Sequence, residues 1–88
     1  MLSIKQSSDG NTTTLRLCGR LQSEDLTELW AQVEGCSQRV VIDMEEVTLA
    51  DRDAVQFLGF CEERGIELLH CPPDIRESIL AENHGDFG

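Results

Sequence analysis

The chain has 88 residues, which is the size of one small domain. Its hydrophobic fraction of 40% is typical of a folded globule, and no apolar run approaches the roughly 20 residues that span a bilayer. Seventeen acidic residues against 7 basic ones give a net charge of -10, which disfavours binding to nucleic acid or to an anionic membrane. The same charge favours a basic partner surface, or it serves solubility alone.

The N-terminus and the cysteines indicate a reduced cytoplasmic protein. Residues 1–9 lack a basic segment followed by an apolar one, so we expect no signal peptide. Cys18, Cys36, Cys61 and Cys71 include no Cys-x-x-Cys pair and no metal-ligand spacing. Cys18 and Cys61 fall in apolar patterns and are predicted to be small core residues. His70 precedes Cys71, but neighbours in sequence do not make a catalytic pair, so we predict no thiol enzyme.

The first half of the chain predicts a β-hairpin followed by a helix. Residues 2–6 and 12–18 alternate apolar and polar side chains, and residues 7–11 between them are rich in turn formers. Ser23 is predicted to cap the first helix. The apolar stripe of that helix has helical spacing, and Gly35 is predicted to end it. The stripe consists of Leu26, Leu29, Trp30 and Val33, with Trp30 interpreted as core.

The second half predicts strand, helix, strand and helix. Residues 39–43 form an apolar run typical of a central strand, and residues 44–50 are predicted to be an acidic loop. A second helix is predicted from about residue 51 until Gly65, a strand over 66–70 and a last helix over 74–82. Residues 83–85 would close that helix, and residues 86–88 would form a tail with Phe87 folded back. The apolar positions of the two helices are Ala54, Phe57, Leu58, Cys61, Ile75 and Ile79.

The order β-β-α-β-α-β-α predicts a single α/β domain over residues 1–88 with a mixed β-sheet and a core over about 2–82. Functional residues of such folds collect beyond the carboxyl ends of parallel strands, which here are residues 19–22, 43–54 and 70–73. At that edge Asp51 is predicted to cap the second helix and Asp53 to complement its dipole, and both would repel phosphate. A hard cation is chemically compatible with the carboxylates, but their spacing matches no calcium loop, so we predict no metal and no cofactor. The carboxylates considered are Asp43, Glu45, Glu46, Asp51 and Asp53.

Three segments resemble those of the STAS domain, the fold of bacterial anti-sigma factor antagonists. Residues 15–21, Leu-Arg-Leu-Cys-Gly-Arg-Leu, are similar to the family's strand that ends in a Gly-x-Leu turn. Residues 39–51 are similar to its central strand and the following Val-containing loop. Residues 65–69, followed by Pro73, are similar to its last strand and terminal helix. The resemblance extends over roughly residues 2 to 82, and it implies the mixed sheet already predicted.

The resemblance implies partner switching. In this family an unphosphorylated antagonist binds a serine-kinase-type anti-sigma factor, and phosphorylation of a serine at the start of the second helix breaks the complex. The usual motif is Asp-Ser-Ser/Thr-Gly-Leu, and residues 51–55 of this chain are Asp-Arg-Asp-Ala-Val. Asp51 matches, Arg52 replaces the first serine, Asp53 stands at the phospho-acceptor position and Ala54 replaces the glycine. Gln22 stands where an acidic residue often follows the Gly-x-Leu turn.

We therefore expect a bacterial, non-enzymatic interaction module that is not phosphorylated at the usual position. Asp53 either mimics phosphoserine in part or marks the loss of the switch. The expected partner is a regulatory protein such as a serine-kinase-type anti-sigma factor, and the sequence does not determine its identity or the oligomeric state. The alternative is a small-molecule sensor with its ligand at the loop before the second helix. The predicted partner-binding residues are Gly19, Arg20, Asp43, Thr48, Asp51, Arg52 and Asp53.

Overall fold

The computed structural model describes residues 2–36 and 39–84, with side chains described up to residue 81. The predicted element order β-β-α-β-α-β-α is confirmed. None of the described helices combines the length and the hydrophobicity needed to cross a membrane. The predicted helix closure at residue 85 and the tail over 86–88 lie outside the described residues. The elements are β1 (Ser3–Asp9), β2 (Thr12–Leu21), a 3-10 turn (Ser23–Asp25), α1 (Leu26–Glu34), β3 (Arg39–Ala50), α2 (Arg52–Glu63), β4 (Glu67–Leu69) and α3 (Pro73–His84).

The four strands form one mixed sheet in the order β1-β2-β3-β4. β1 pairs antiparallel with β2, whereas β2–β3 and β3–β4 are parallel pairs. Pairing of β1 with β2 continues to Asp9 opposite Thr12, so the turn is shorter than predicted. Gly10 supplies the positive φ of 65° that a two-residue hairpin turn requires. The mixed α/β sheet expected from the sequence is confirmed.

The predicted acidic loop over residues 44–50 is wrong, because these residues continue β3 to Ala50. They pair in parallel with the end of β2, where Cys18 lies opposite Glu46 and Leu21 opposite Ala50. The register shifts twice along this pair, and each shift adds one residue to β3. Bulges break the strict alternation of side chains, and Glu45 and Glu46 are both exposed as a result. The adjacent polar residues Glu45 and Glu46 inside β3 therefore have the sequence pattern of a loop, which explains the wrong prediction.

The predicted N-cap at Ser23 is also wrong. The chain first makes a 3-10 turn, and α1 begins only at Leu26. Gln22 takes the cap position of that turn, and its backbone N–H donates to the Asp25 carboxylate at 3.0 Å. The acidic residue in the first turn thus reaches back to the chain before it, as in a capping box.

The core lies between one face of the sheet and the three helices. Leu15 and Leu17 of β2 are fully buried, as are Leu29 of α1 and Leu58 of α2. Cys61 is buried as predicted, but Cys18 is only half-buried because it follows Leu17 and faces the other side of the sheet. Other buried apolar residues are Leu21, Val33, Val40, Ile42, Met44, Val47, Ala54, Val55, Leu68, Ile75 and Ile79.

Candidate functional site

The carboxylate of Asp51 joins the start of α2 to the turn before α1. Its Oδ1 accepts a hydrogen bond from the backbone N–H of Ala54 at 2.9 Å, which is the bond of a helix N-cap. Its Oδ2 accepts a hydrogen bond from the backbone N–H of Ser23, also at 2.9 Å. The backbone N–H of Asp51 donates to the carbonyl of Leu21 at 3.2 Å. The predicted capping role of Asp51 is confirmed, and the carboxylate also ties together two distant segments.

Arg52 and Asp53 form the exposed first residues of α2. The side chain of Asp53 adds negative charge near the positive end of the helix dipole, which stabilises the helix. A phosphate bound at a helix N-terminus uses the free N–H groups there, and Asp51 already accepts a bond from one of them. The start of α2 therefore carries built-in negative charge at the position where the related motif carries a phosphorylatable hydroxyl.

The ends of β2 and β3 bring further predicted residues to the same place. Gly19 pairs with Val47 and Arg20 pairs with Leu49 in the parallel ladder that ends beside Asp51. Gly19 has a φ of 102°, a conformation that a residue with a Cβ rarely adopts. The side chains of Arg20 and Thr48 are exposed. Six of the predicted partner-binding residues thus gather at one end of the sheet. We term them the α2-start surface: Gly19, Arg20, Thr48, Asp51, Arg52 and Asp53.

Asp43, the seventh predicted residue, lies elsewhere. It pairs with Leu69 of β4, seven residues before the end of β3 at Ala50. At about 3.3 Å per strand residue this places it on the order of 20 Å from Ala50 and the start of α2, while Gly19 at the near edge of the surface is closer. The prediction assumed that β3 and β4 end at the same edge. β3 instead runs on beyond β4, so the carboxyl ends of the two strands are staggered.

Asp43 forms its own cluster with His70 and Glu45. Its Oδ1 lies 3.2 Å from the His70 Nδ1 and accepts a bond from the backbone N–H of Glu45 at 3.0 Å. Burial raises the pKa of Asp43, but the Glu45 N–H, the His70 ring and Arg16 outweigh burial, so its pKa lies below the usual value. His70 has a positive φ of 53°. One ligand atom from each of Asp43, Glu45 and His70 lies within 4.8 Å of the others, so these donors are the described group best placed to hold a cation.

Two of the four cysteines, Cys61 and Cys71, have the properties of unreactive thiols. All four are free. Burial raises the pKa of the Cys61 thiol to about 12, so this side chain is protonated at neutral pH. Burial also raises the pKa of the Cys71 thiol, although the nearby Arg76 partly opposes the effect. Neither thiol is prepared for nucleophilic attack.

An aromatic groove between α1 and α2 is a feature that sequence reasoning missed. The Trp30 ring lies 5.9 Å from that of Phe57 in an edge-on arrangement and 5.5 Å from that of Phe60. The groove has a volume of about 430 Å³, and its surface is mainly apolar. Its lining residues, which define the aromatic groove from here on, are Leu26, Thr27, Trp30, Phe57 and Phe60.

The interpretation of Trp30 as a core residue is right only in part. The side chain packs against the core but is half-buried. Phe60 is 43% exposed, although large aromatic side chains favour burial. The guanidinium of Arg64 lies over both rings, 5.8 Å from the centre of Trp30 and 5.6 Å from that of Phe60. Phe57 and Phe60, three residues apart and followed one turn later by Arg64, were the sequence signal for this surface.

Comparison with protein families and curated proteins gives one match. A family model described as "Mlab, STAS domain" matches residues 4–80, which include every element from β1 to most of α3. The match covers the α2-start surface, the Asp43 cluster and the aromatic groove. No curated protein matches the chain.

Proposed function

The chain belongs to the STAS domain family, and we propose that it is a non-enzymatic module that binds a regulatory protein through the α2-start surface. STAS domains include anti-sigma factor antagonist-like domains and domains related to those of sulfate transporters. We place this chain with the antagonist-like domains. The expected partner is a serine-kinase-type anti-sigma factor or a related regulatory protein.

The observation that carries the proposal is the arrangement of the first residues of α2. Asp51 accepts hydrogen bonds from the backbone N–H groups of Ala54 and Ser23, so the backbone at the start of α2 is tied to the turn before α1. Arg52 and Asp53 are exposed on this backbone. A backbone that is already ordered before the partner arrives lowers the conformational cost of binding.

Asp53 makes the usual phosphorylation switch unsuitable at this position. A serine-type acceptor needs a hydroxyl oxygen, and Asp53 offers a carboxylate. The carboxylate of Asp53 carries one negative charge, whereas phosphoserine carries about -1.5 to -2. The Asp53 side chain is also shorter than phosphoserine and projects less far from the helix. Two interpretations remain open for Asp53, namely a partial mimic of the phosphorylated state and a switch that has been lost.

Several features support a binding module over an enzyme. The buried thiol of Cys61 has its pKa raised to about 12, and the pKa of the Cys71 thiol is also raised. The His70 ring is hydrogen-bonded to Asp43, an arrangement that links a strand to the chain after β4. Apart from Gly19, the α2-start surface consists of charged and hydroxyl side chains, without a thiol or an imidazole.

The alternative, a small-molecule sensor, has a weaker basis. A cavity at the start of α2 is lined by Ala50, Arg52, Val55, Ser78 and Ala81, and its volume is about 260 Å³. Ligand pockets usually have about 300–1,000 Å³. A larger cavity of about 470 Å³ is lined by residues that include Arg39 at the opposite end of β3, so it does not lie where this alternative places the ligand. We therefore favour a protein partner.

Incubation with ATP and a serine-kinase-type anti-sigma factor from the same host tests the proposal. We expect size-exclusion chromatography to show a complex with the wild-type chain, and mass spectrometry to show that the mass of the chain is unchanged.

Asp53→Ser should gain one phosphate if the partner surface survives and only the acceptor was lost. Asp74→Ser, an exposed carboxylate in the first turn of α3, is the matched control and should gain none. Stoichiometric phosphate on the wild-type α2-start surface would contradict the proposal. The lack of a complex with both the wild-type chain and Asp53→Ser, which removes the charge that resembles phosphoserine, would also contradict it.

A further inference from the structure

The aromatic groove is an exposed, mainly apolar surface, and the Arg64 guanidinium lies over two of its rings. Thr27 is exposed at its edge, and the rings of Trp30 and Phe57 are half-buried. The 43% exposure of Phe60 leaves a large apolar area in water. Contiguous apolar surface on a small domain, particularly where aromatic rings form it, marks an interaction site more often than isolated exposed residues do.

The groove is continuous with the α2-start surface. Residues three or four apart on a helix lie on the same face, so Asp53, Phe57 and Phe60 form one line along α2 that ends at Arg64. Asp53 stands at the phospho-acceptor position and is also the first residue of this line. A partner that contacts Asp53 and lies along α2 would therefore reach both phenylalanine rings.

The rim of the groove has a carboxylate at each end. Glu34 follows Trp30 by one turn on α1, Asp53 precedes Phe57 by one turn on α2, and both are exposed. Arg64 lies over the rings, and Arg39 lines a neighbouring cavity together with Trp30 and Glu34. The two segments that form the groove, residues 23–34 and 52–64, together carry 7 acidic residues against 2 basic ones. The surface thus combines an aromatic floor with helices of net negative charge.

We propose that the aromatic groove docks a basic amphipathic helix of the partner protein. A groove between two helices accepts the ridge of a third, with apolar anchors repeating every three or four residues. Lysine or arginine side chains beside those anchors would meet Asp53 at one end and Glu34 at the other. The inference rests on the proposed function in that both place the partner at the start of α2.

The net charge of the chain favours a basic helix over a second copy of the chain or an anionic lipid surface as the occupant of the groove. A second copy of the chain would bring another net charge of -10 and an equally acidic rim to the same groove. An anionic lipid surface would be repelled for the same reason. A basic helix is attracted by the acidic helices around the groove, and its apolar face buries the rings. Electrostatic attraction and apolar burial therefore both favour this occupant.

A designed peptide of about 18 residues is a direct probe, since it forms about five helical turns. Its leucines repeat at helical spacing on one face, and lysines flank them. One control peptide has the same composition in scrambled order, and another has glutamate in place of lysine. Trp30 is the chain's single tryptophan and lies in the groove, so its fluorescence reports binding there. The anisotropy of a fluorescent label on the peptide gives a second, independent readout.

We expect saturable binding of the lysine peptide and at least tenfold weaker binding of both control peptides. Phe60→Ser should weaken binding about tenfold or more, because it removes a central ring. Leu80→Ser, which changes a similarly exposed leucine on α3, should leave binding unchanged. Thr27→Arg keeps the core intact and adds bulk and positive charge to the groove, so it should also abolish binding. Ser7→Arg on exposed β1 is its control.

Three results would overturn the inference. The first is the absence of any saturable signal up to about 1 mM peptide with the fold intact by circular dichroism. The second is equal binding of the glutamate peptide, or equal losses in Phe60→Ser and Leu80→Ser. The third is sedimentation of the chain alone as a dimer that Thr27→Arg dissociates, because a second copy would then occupy the groove.

A regulatory partner, once isolated, separates this inference from the proposed function. If the substitution Asp53→Lys abolishes the complex and Thr27→Arg does not, the α2-start surface binds the partner and the groove inference fails. If Thr27→Arg abolishes the complex and Asp53→Lys does not, the groove is used without the α2-start surface, and the proposed function fails.

Discussion

Asp51 supports the start of α2 and its link to the turn before α1 with two oxygens of one carboxylate. We predict that Asp51→Ala lowers the free energy of unfolding by about 2 kcal/mol, since both an N-cap and a tether to the Ser23 N–H are lost. Asp51→Asn should lose about half as much, because the amide retains only one oxygen acceptor. Urea unfolding followed by circular dichroism measures both changes.

Asp53→Ala is the neighbouring control for Asp51. The side chain of Asp53 is exposed and interacts with the helix dipole, so its removal should cost no more than about 0.5 kcal/mol. Equal losses in Asp51→Ala and Asp53→Ala would show that the two hydrogen bonds of Asp51 contribute little.

Asp43 gives the fold a dependence on pH. Its pKa in the folded chain is lowered from the usual value, so its ionised form adds stability above about pH 4, and that stability is lost as the pH falls through the folded pKa. We predict that Asp43→Asn is less stable than wild type at pH 7 and that the difference shrinks toward pH 3. Urea unfolding at both values checks this. The exposed Asp74→Asn is the control, and a pH-independent difference for Asp43→Asn would contradict the assignment.

Local rules predicted residues whose partners are close in sequence. Asp51 was identifiable as a cap because its first partner, Ala54, is three residues away. The second partner, the Ser23 N–H, is 28 residues away and depends on the packing of two elements. Ser23 is a residue type that N-cap positions favour, which is why it was predicted to cap the first helix. In the structure Gln22 takes the cap position, and its backbone N–H donates to the Asp25 carboxylate.

Among the elements, β3 differs most from its predicted form. Residues 44–50 were predicted to be a loop, yet Met44 and Val47 of this stretch belong to the core. We predict that Val47→Ala lowers the free energy of unfolding by about 2 kcal/mol, as loss of buried methyl groups does. The exposed Thr48→Ala should change it by no more than about 0.5 kcal/mol. Hydrogen exchange should also show protected amides in the ladder up to Ala50, and rapid exchange there would contradict the strand assignment.

The last helix is held to α2 by a charged contact. Nη1 of Arg76 lies 2.9 Å from both carboxylate oxygens of Glu62, and each side chain is about one third exposed, at 35% and 32%. We predict that a double-mutant cycle of Arg76→Gln and Glu62→Gln gives a coupling energy of about 0.5–1 kcal/mol. The more exposed pair of Arg16 and Glu45, 3.4 Å apart, should couple more weakly. A larger coupling in the Arg16 pair would contradict this ranking.

Helices and strands with a regular spacing of apolar residues were predictable from the sequence. Their lengths, and the faces by which they pack against one another, were not. The stripe of Leu29 and Val33 identifies α1, and the apolar run before Asp43 identifies β3. Two bulges then carry β3 past the point where alternation stops, and the parallel partner β2 provides its hydrogen bonds. The aromatic groove was missed because Trp30 and Phe57 lie on different helices, and their 5.9 Å contact depends on how those helices pack.

At the scale of the whole molecule, the binding features share one end and one side. The α2-start surface lies where β2 and β3 end, and the aromatic groove extends from it along α1 and α2. Asp43 and His70 lie on the order of 20 Å from the start of α2 along the sheet. With a net charge of -10, the molecule attracts basic surfaces from a distance, while the groove provides the apolar contact once a partner has docked.

Site-specific photocrosslinking in the native host tests whether the α2-start surface binds a regulatory protein. A photoreactive amino acid replaces exposed Thr48 within the α2-start surface, and in a separate strain it replaces exposed Ser7 on β1 as the control. We predict that Thr48 crosslinks to one regulatory protein, identified by mass spectrometry, and that Arg52→Glu together with Asp53→Lys removes this crosslink. Equal crosslinking from Ser7 and Thr48, or none from Thr48 in folded protein, would contradict it.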